Sequence, residues 1–169
     1  MKSNLFLRFF ALVLGAASGS YSLSLSEPEP LLQSGNCPDF WYSFNDRCFK
    51  YMSTRKTWAE AELYCVSEGA NLVSIHSVEE HGFVRTLIRN VDLAQEWTWI
   101  GLSDIHKEGS WMWSDGSPVR FLDWAVGEPN SQGNEDCGLT NFETTKQWND
   151  QGCLSVQSFV CATRPSSCL

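Results

Sequence analysis

Apolar residues recur at helical spacing in two stretches near the start of the chain's cysteine-rich region. Trp58, Ala61 and Cys65 fall on one face. Thr57-x-x-Glu60 opens that stretch as a capping box, in which the threonine hydroxyl and the glutamate carboxylate each satisfy a free backbone amide, and Gly69 offers a left-handed stop. A second box, Ser77-x-x-Glu80, precedes Phe83, Leu87 and Val91, with Val84 and Ile88 widening the same apolar face. Between the two helices, Asn71 to Ile75 reads as a strand. Beyond residue 97 the pattern shifts to short strands at Trp97–Leu102, Trp111–Trp113, Gly138–Phe142, Lys146–Asn149 and Ser158–Ala162, with a turn at Ser114-Asp115-Gly116. The irregular stretch from Asp115 to Asp136 holds most of the Gly, Pro and Asn. A loop of that length usually has a function.

The chain before the first helix changes the compartment. Lys2 and Arg8, then an apolar run from Phe9 to Ala17 and the small residues Ser18, Gly19 and Ser20, have the order of a secretory signal. The run is far short of the ~20 residues that span a bilayer. Residues 1–20 are therefore expected to be a cleaved signal, 21–36 a short Ser/Leu/Glu/Pro linker, and 37–169 one domain of a secreted, extracellular protein. With 169 residues, 43% of them apolar and eight of them Trp, there is material for one core. A net charge of −8 excludes the basic footprint that nucleic acid or an anionic membrane requires. The seven cysteines contain no C-x-x-C pair, and in an oxidising compartment they are expected to form disulfides with one left over. No N-x-[ST] sequon is present.

Candidate chemistry is concentrated in the long loop and the strand after it. Glu128-Pro129-Asn130, Glu135-Asp136-Cys137 and Trp148-Asn149-Asp150 supply carboxylates and amide carbonyls, hard oxygen donors in the mixture that suits calcium better than magnesium or zinc. Pro129 can hold Glu128 and Asn130 on one side of a tight turn, best through a cis peptide. A single tripeptide of this kind occurs by chance in roughly 2% of chains this long, and alone would be read as a polar turn. Their combination carries the weight.

With Trp99-Ile100-Gly101-Leu102 and six of the cysteines, these motifs resemble the C-type lectin family across Cys37 to Cys161. The layout is similar to the soluble single-domain lectins of fish and venoms. The resemblance implies an α+β, C-type lectin-like fold: two helices, two small antiparallel sheets and a long calcium-binding loop, stapled by Cys37–Cys48, Cys65–Cys161 and Cys137–Cys153. It implies calcium as cofactor, held by Glu128, Asn130, Glu135, Asn149 and Asp150, the last through side chain and backbone carbonyl. A sugar with adjacent equatorial hydroxyls would bind the ion and contact Glu128, Asn130, Glu135 and Asn149, each carboxylate accepting from a hydroxyl and each amide donating to it. The E-P-N order is similar to the mannose/glucose/fucose class. Asp104, Glu108, Glu135 and Asp136 match an auxiliary calcium site, although Ser131 stands where a stronger ligand is usual. The same fold also serves ice binding in type II antifreeze proteins and protein binding in venom components, so these stand as alternatives to a lectin in agglutination or innate defence.

The remaining candidates are weaker. Cys168 is the unpaired cysteine and is expected to bridge to a second copy, raising avidity for weakly bound glycans. His76, His81 and His106 lie in no nucleophile or metal pattern and are expected at the surface or in caps. Trp111 and Trp113 are expected in the core rather than as a sugar platform. No hydrolase elbow, zinc-protease helix or phosphate loop occurs, and carboxylates committed to a metal cannot double as a glycosidase acid, so no enzyme is expected.

Overall fold

The computed structural model describes residues 31–163; the proposed leader and Cys168 lie outside them. A hairpin of β1 (Tyr42–Phe44) and β2 (Arg47–Lys56) comes first. Then follow α1 (Trp58–Ser67), β3 (Asn71–Leu72), α2 (Val78–Val91), β4 (Thr98–Ser103) and β5 (Met112–Trp113). After the long loop come β6 (Cys137–Phe142), β7 (Gln147–Gln151) and β8 (Gln157–Ala162). The α+β class and both helices are as expected, as are the three disulfides.

The strands do not remain two separate sheets. They run in the order β1-β2-β8-β4-β6-β7, because β4 lies parallel to β8 through Thr98↔Ser158 and Trp99↔Phe159 and joins the two antiparallel groups. The buried Thr98 and Ser158 hydroxyls, 3.0 Å apart, seal that junction. β4 is buried along its whole length, as a strand covered on both faces should be. Trp99 packs with Trp58, Ala61, Cys65 and Leu139 on the α1 side. Ile100 and Leu102 face Phe83, Val84, Leu87 and Trp148 on the α2 side. Gly101 lies between, where a Cβ would meet the Leu72 carbonyl oxygen at 2.6 Å. Trp113 is buried in the core and Trp111 packs against Trp124, so neither is a free platform.

Local signals explain the helix ends. The first capping box is complete, with Thr57 accepting from the Glu60 amide and Glu60 accepting from that of Thr57, and Gly69 takes a φ of 76° just past α1. The second is only half formed. Ser77 accepts from the Glu80 amide, but the Glu80 carboxylate turns instead to the His76 amide and, at 2.5 Å, to the Arg47 guanidinium. Both charged groups of that pair are almost wholly buried. Arg47 also donates to the Ser74 carbonyl and hydroxyl and to the Thr163 carbonyl, so one side chain ties the first hairpin to α2 and to the end of β8. β2, the longest strand, is not among the elements expected from the sequence; its inward positions are Arg47, Phe49 and Tyr51, a cation followed by two aromatics.

The disulfides fasten what the sheet brings together. Cys65–Cys161 closes 96 residues between α1 and β8, and Cys137–Cys153 closes 16 across β6 and β7. In the chain-entropy account these contribute about 4.7 and about 3 kcal/mol.

Candidate functional site

The long loop hangs from β7 at one end of the sheet. The Trp148 amide donates to the Asp123 carbonyl (2.9 Å) and the Ala125 amide to the Trp148 carbonyl (2.8 Å), a short parallel bridge that carries the chain toward Glu128. The Glu128 amide then donates to Ala125 (3.0 Å), and Glu128–Pro129 is cis, as its tight turn requires. Past the proline the chain is tied to β7 again: the Asn130 and Ser131 amides donate to the Asp150 carboxylate at 3.2 and 2.7 Å. Asp150 itself is completely buried. Neighbouring residues on a five-residue strand thus hold both sides of the E-P-N turn.

Within this frame the donors converge. The Asn130 amide nitrogen donates to Glu128 Oε2 at 2.6 Å, and Asn130 Oδ1 accepts from the Gln132 amide. Asn149 donates from Nδ2 to the Asp150 carbonyl (2.7 Å), leaving its Oδ1 buried with no hydrogen-bond partner. Glu128 is held above its usual carboxylate pKa, first by burial, then by a hydrogen bond to Asp150 and the charges of Asp150 and Glu135. Glu135 is raised likewise, by burial and then by Asp150. Like charges at close range disfavour ionisation. Among the described residues none of these three carboxylates is ion-paired with a Lys, Arg or His.

Of the expected auxiliary residues, Asp104, Glu108 and Asp136 form a neighbouring group. Asp104 is buried, with Oδ2 accepting from the Gly109 amide (2.7 Å) and Oδ1 unpartnered. Burial and then the charges of Glu108 and Asp136 raise its pKa. Glu108 accepts from the Ser131 hydroxyl at 2.6 Å, so Ser131 links the two groups rather than facing an ion alone. Asp136 accepts from Asn134. Among the described residues no set of three His, Cys, Asp or Glu side chains is arranged to hold a metal by itself.

His81 departs from expectation. It is 2% exposed, not a surface residue. Its Nδ1 stands 2.8 Å from Asp123 Oδ2, and its Nε2 lies 3.2 Å from the indole nitrogen of Trp148. An indole nitrogen can only donate, so Nε2 accepts and the proton resides on Nδ1, facing Asp123. Burial lowers the pKa of His81 to about 4, outweighing the opposing pull of Asp123. Asp123 also accepts from Gln147 (2.9 Å). A neutral histidine on α2 therefore anchors both the start of the long loop and the tryptophan that precedes Asn149 and Asp150. The sequence does hold a signal for it: His81, Val84 and Ile88 share one helical face. His76 is half-buried and hydrogen-bonded to Ser74, which donates to Asp115. Ser74 is wholly buried, so this trio is a structural network and no nucleophile.

The family profile described as "Lectin C-type domain" matches residues 54–163, which include all of these donors. The chain belongs to the C-type lectin domain family. This lectin domain is 40% identical over 138 residues to the lactose-binding lectin l-2 of Anguilla japonica, covering 79% of this chain and 81% of that protein. It is 39% identical over 126 residues to a type-2 ice-structuring protein of Osmerus mordax, covering 75% and 70%. Among solved structures it is similar to the herring type II antifreeze protein, with a TM-score of 0.70 and 38% identity over 75% of this chain and 98% of that one. Such a lectin domain is a binding module and not an enzyme.

Proposed function

We propose that the protein is a secreted, calcium-dependent lectin for sugars of the mannose, glucose and fucose type. The observation that carries this reading is the group of Glu128, Glu135 and Asp150, in which burial and the Asp150 charge raise the pKa of both glutamates with no side-chain cation paired to them, next to a buried Asn149 Oδ1 that no donor reaches. A divalent cation bound by oxygen ligands resolves both conditions. Glu128, Asn130, Glu135, Asn149 and Asp150 would hold it, and the bound ion would supply a Lewis-acidic centre for two vicinal hydroxyls. The chain's own part is orientation. Asn130 Nδ2 and Glu128 Oε2 sit 2.6 Å apart as donor beside acceptor, the pairing that a sugar hydroxyl, itself both donor and acceptor, can enter. Secretion rests on the leader motif, and among the described residues no helix is long and apolar enough to cross a membrane.

Affinity chromatography on immobilised mannan, with and without chelator, tests the reading. Retention that needs calcium and is released by mannose or fucose is expected. Release by lactose in preference to mannose would reverse the specificity, and lactose is what the name of the eel relative points to. Calorimetric titration counts the ions: a second site would fall to Asp104, Glu108, Glu135 and Asp136 with Ser131 nearby, and a single site would leave those groups as an acidic rim. Cys168 is proposed to link two copies and make the lectin bivalent, which a non-reducing gel checks.

A second reading has its own support, the similarity to ice-structuring and antifreeze proteins at the same level as to lectins. Thermal hysteresis without glycan retention would decide for it.

A further inference from the structure

The strands that hold the loop cluster carry a second recess at their other end. β6 leaves the cluster at Cys137 and reaches Phe142 five residues on, about 17 Å away at strand rise. There, beside the β6–β7 turn and the segment after α2, lies a cleft of about 380 Å³. Its walls include Gln95, Trp97, Asn141, Glu143, Lys146 and Gln157. The volume is at the lower end of small-molecule sites, which run ~300–1,000 Å³.

Three independent features mark this cleft as more than a surface dent. Trp97 keeps 37% of its surface open although its ring packs against Phe142 at 5.5 Å. Gln95, Asn141, Glu143 and Lys146 all have positive φ, four of the nine non-glycine residues that do so among the described residues. Strained backbone of this kind persists where the surroundings impose it, and it gathers at functional sites. Asn141 is 2% exposed and poorly satisfied: Nδ2 is 3.4 Å from the Glu96 carbonyl, and Oδ1 has no partner.

The chemistry of the walls selects a ligand class. Arg55 and Glu96 pair with each other, and Glu143 opposes Lys146 in sign, so the lining has no net charge to draw in an ion. An indole offers an apolar face. Two planar amides in the walls, Gln95 and Gln157, each carry a donor beside an acceptor, while Asn141 lies buried beneath them. A neutral pyranose matches this set, with C–H groups on one face and hydroxyls around its edge. We propose that the cleft is a second saccharide site, independent of calcium, at the opposite end of the domain from the loop cluster. One domain would then carry two sites facing different ways and could bridge two glycans without a second copy. The inference goes beyond the calcium-dependent reading and does not need it.

The test uses the full mature protein stripped of metal by excess chelator, so that the loop site contributes nothing. Nitrogen–proton correlation spectra are recorded during separate titrations with lactose and with methyl α-mannoside. The Trp97 indole and Asn141 amide signals are expected to shift with one or both sugars and to saturate in the millimolar range. The shifts should persist in Asp150→Ala and vanish in Trp97→Ala. Because Trp97→Ala also removes packing on Phe142, Lys146→Gly serves as the second variant. Glycine is at ease at that positive φ, and the apparent dissociation constant should rise at least threefold. Absence of any shift up to about 100 mM sugar, a shift that appears only with calcium, or one unchanged in both cleft variants would overturn the proposal.

Discussion

Acidification should unlock the domain through His81 before it does so through most of the carboxylates. In the folded chain this imidazole is neutral, with Nδ1–H directed at Asp123 and Nε2 accepting from Trp148. A proton added to Nε2 would face the Trp148 N–H and break the bond from it, with only the Thr140 hydroxyl, 3.0 Å away, left to accept. The folded pKa of about 4 lies below the 6.5 of an unfolded histidine, so the unfolded state binds the proton first. This contribution to stability is complete above pH 6.5 and is lost as pH falls toward 4. At 1.36 kcal/mol per pKa unit the loss is about 2 kcal/mol by pH 5 and about 3 kcal/mol in full. Urea unfolding of wild type and His81→Asn, both in chelator, at about pH 7.5 and about pH 5 isolates the effect. The asparagine cannot titrate, while the carboxylates common to both proteins cancel in the comparison. Wild type should lose about 2 kcal/mol more than the variant between the two pH values. Equal losses, or a His81 that titrates near 6.5 in the native spectrum, would refute the assignment of its proton.

Other substitutions probe the frame and the pocket. Glu80→Gln leaves the Arg47 guanidinium buried without its counter-charge, and should lower unfolding free energy by about 3–5 kcal/mol, read by denaturant titration. Gly101→Ala forces a Cβ to 2.6 Å from the Leu72 carbonyl, and should cost about 1–3 kcal/mol with a matching fall in thermal midpoint. Asp150→Ala removes both a proposed ligand and the acceptor for the Asn130 and Ser131 amides. Calcium affinity by calorimetry should fall by at least the 10- to 100-fold typical of a lost supporting group, with the disulfides still formed.

Much of the site could be read from the chain because its donors lie in short runs. Glu128-Pro129-Asn130, Glu135-Asp136 and Asn149-Asp150 stand out as candidate oxygen donors from residue type alone, and cysteine spacing with family resemblance led to the three bridges that the structure contains. The helices were equally legible, since a capping box and an apolar face are local properties. What local patterns could not reveal was who pairs with whom. Glu80 reads as half of a capping box until Arg47, 33 residues earlier, captures it. His81 reads as a surface residue until Trp148, 67 residues later, supplies a donor and burial drives off its proton. Thr98 and Ser158 carry no sign in sequence that they will join two sheets into one. Hydropathy and turn chemistry act over a few residues and so can be read in one dimension. Charge state, proton position and strand partnership depend on groups that meet only after the chain has closed on itself, and the tertiary structure alone decides them.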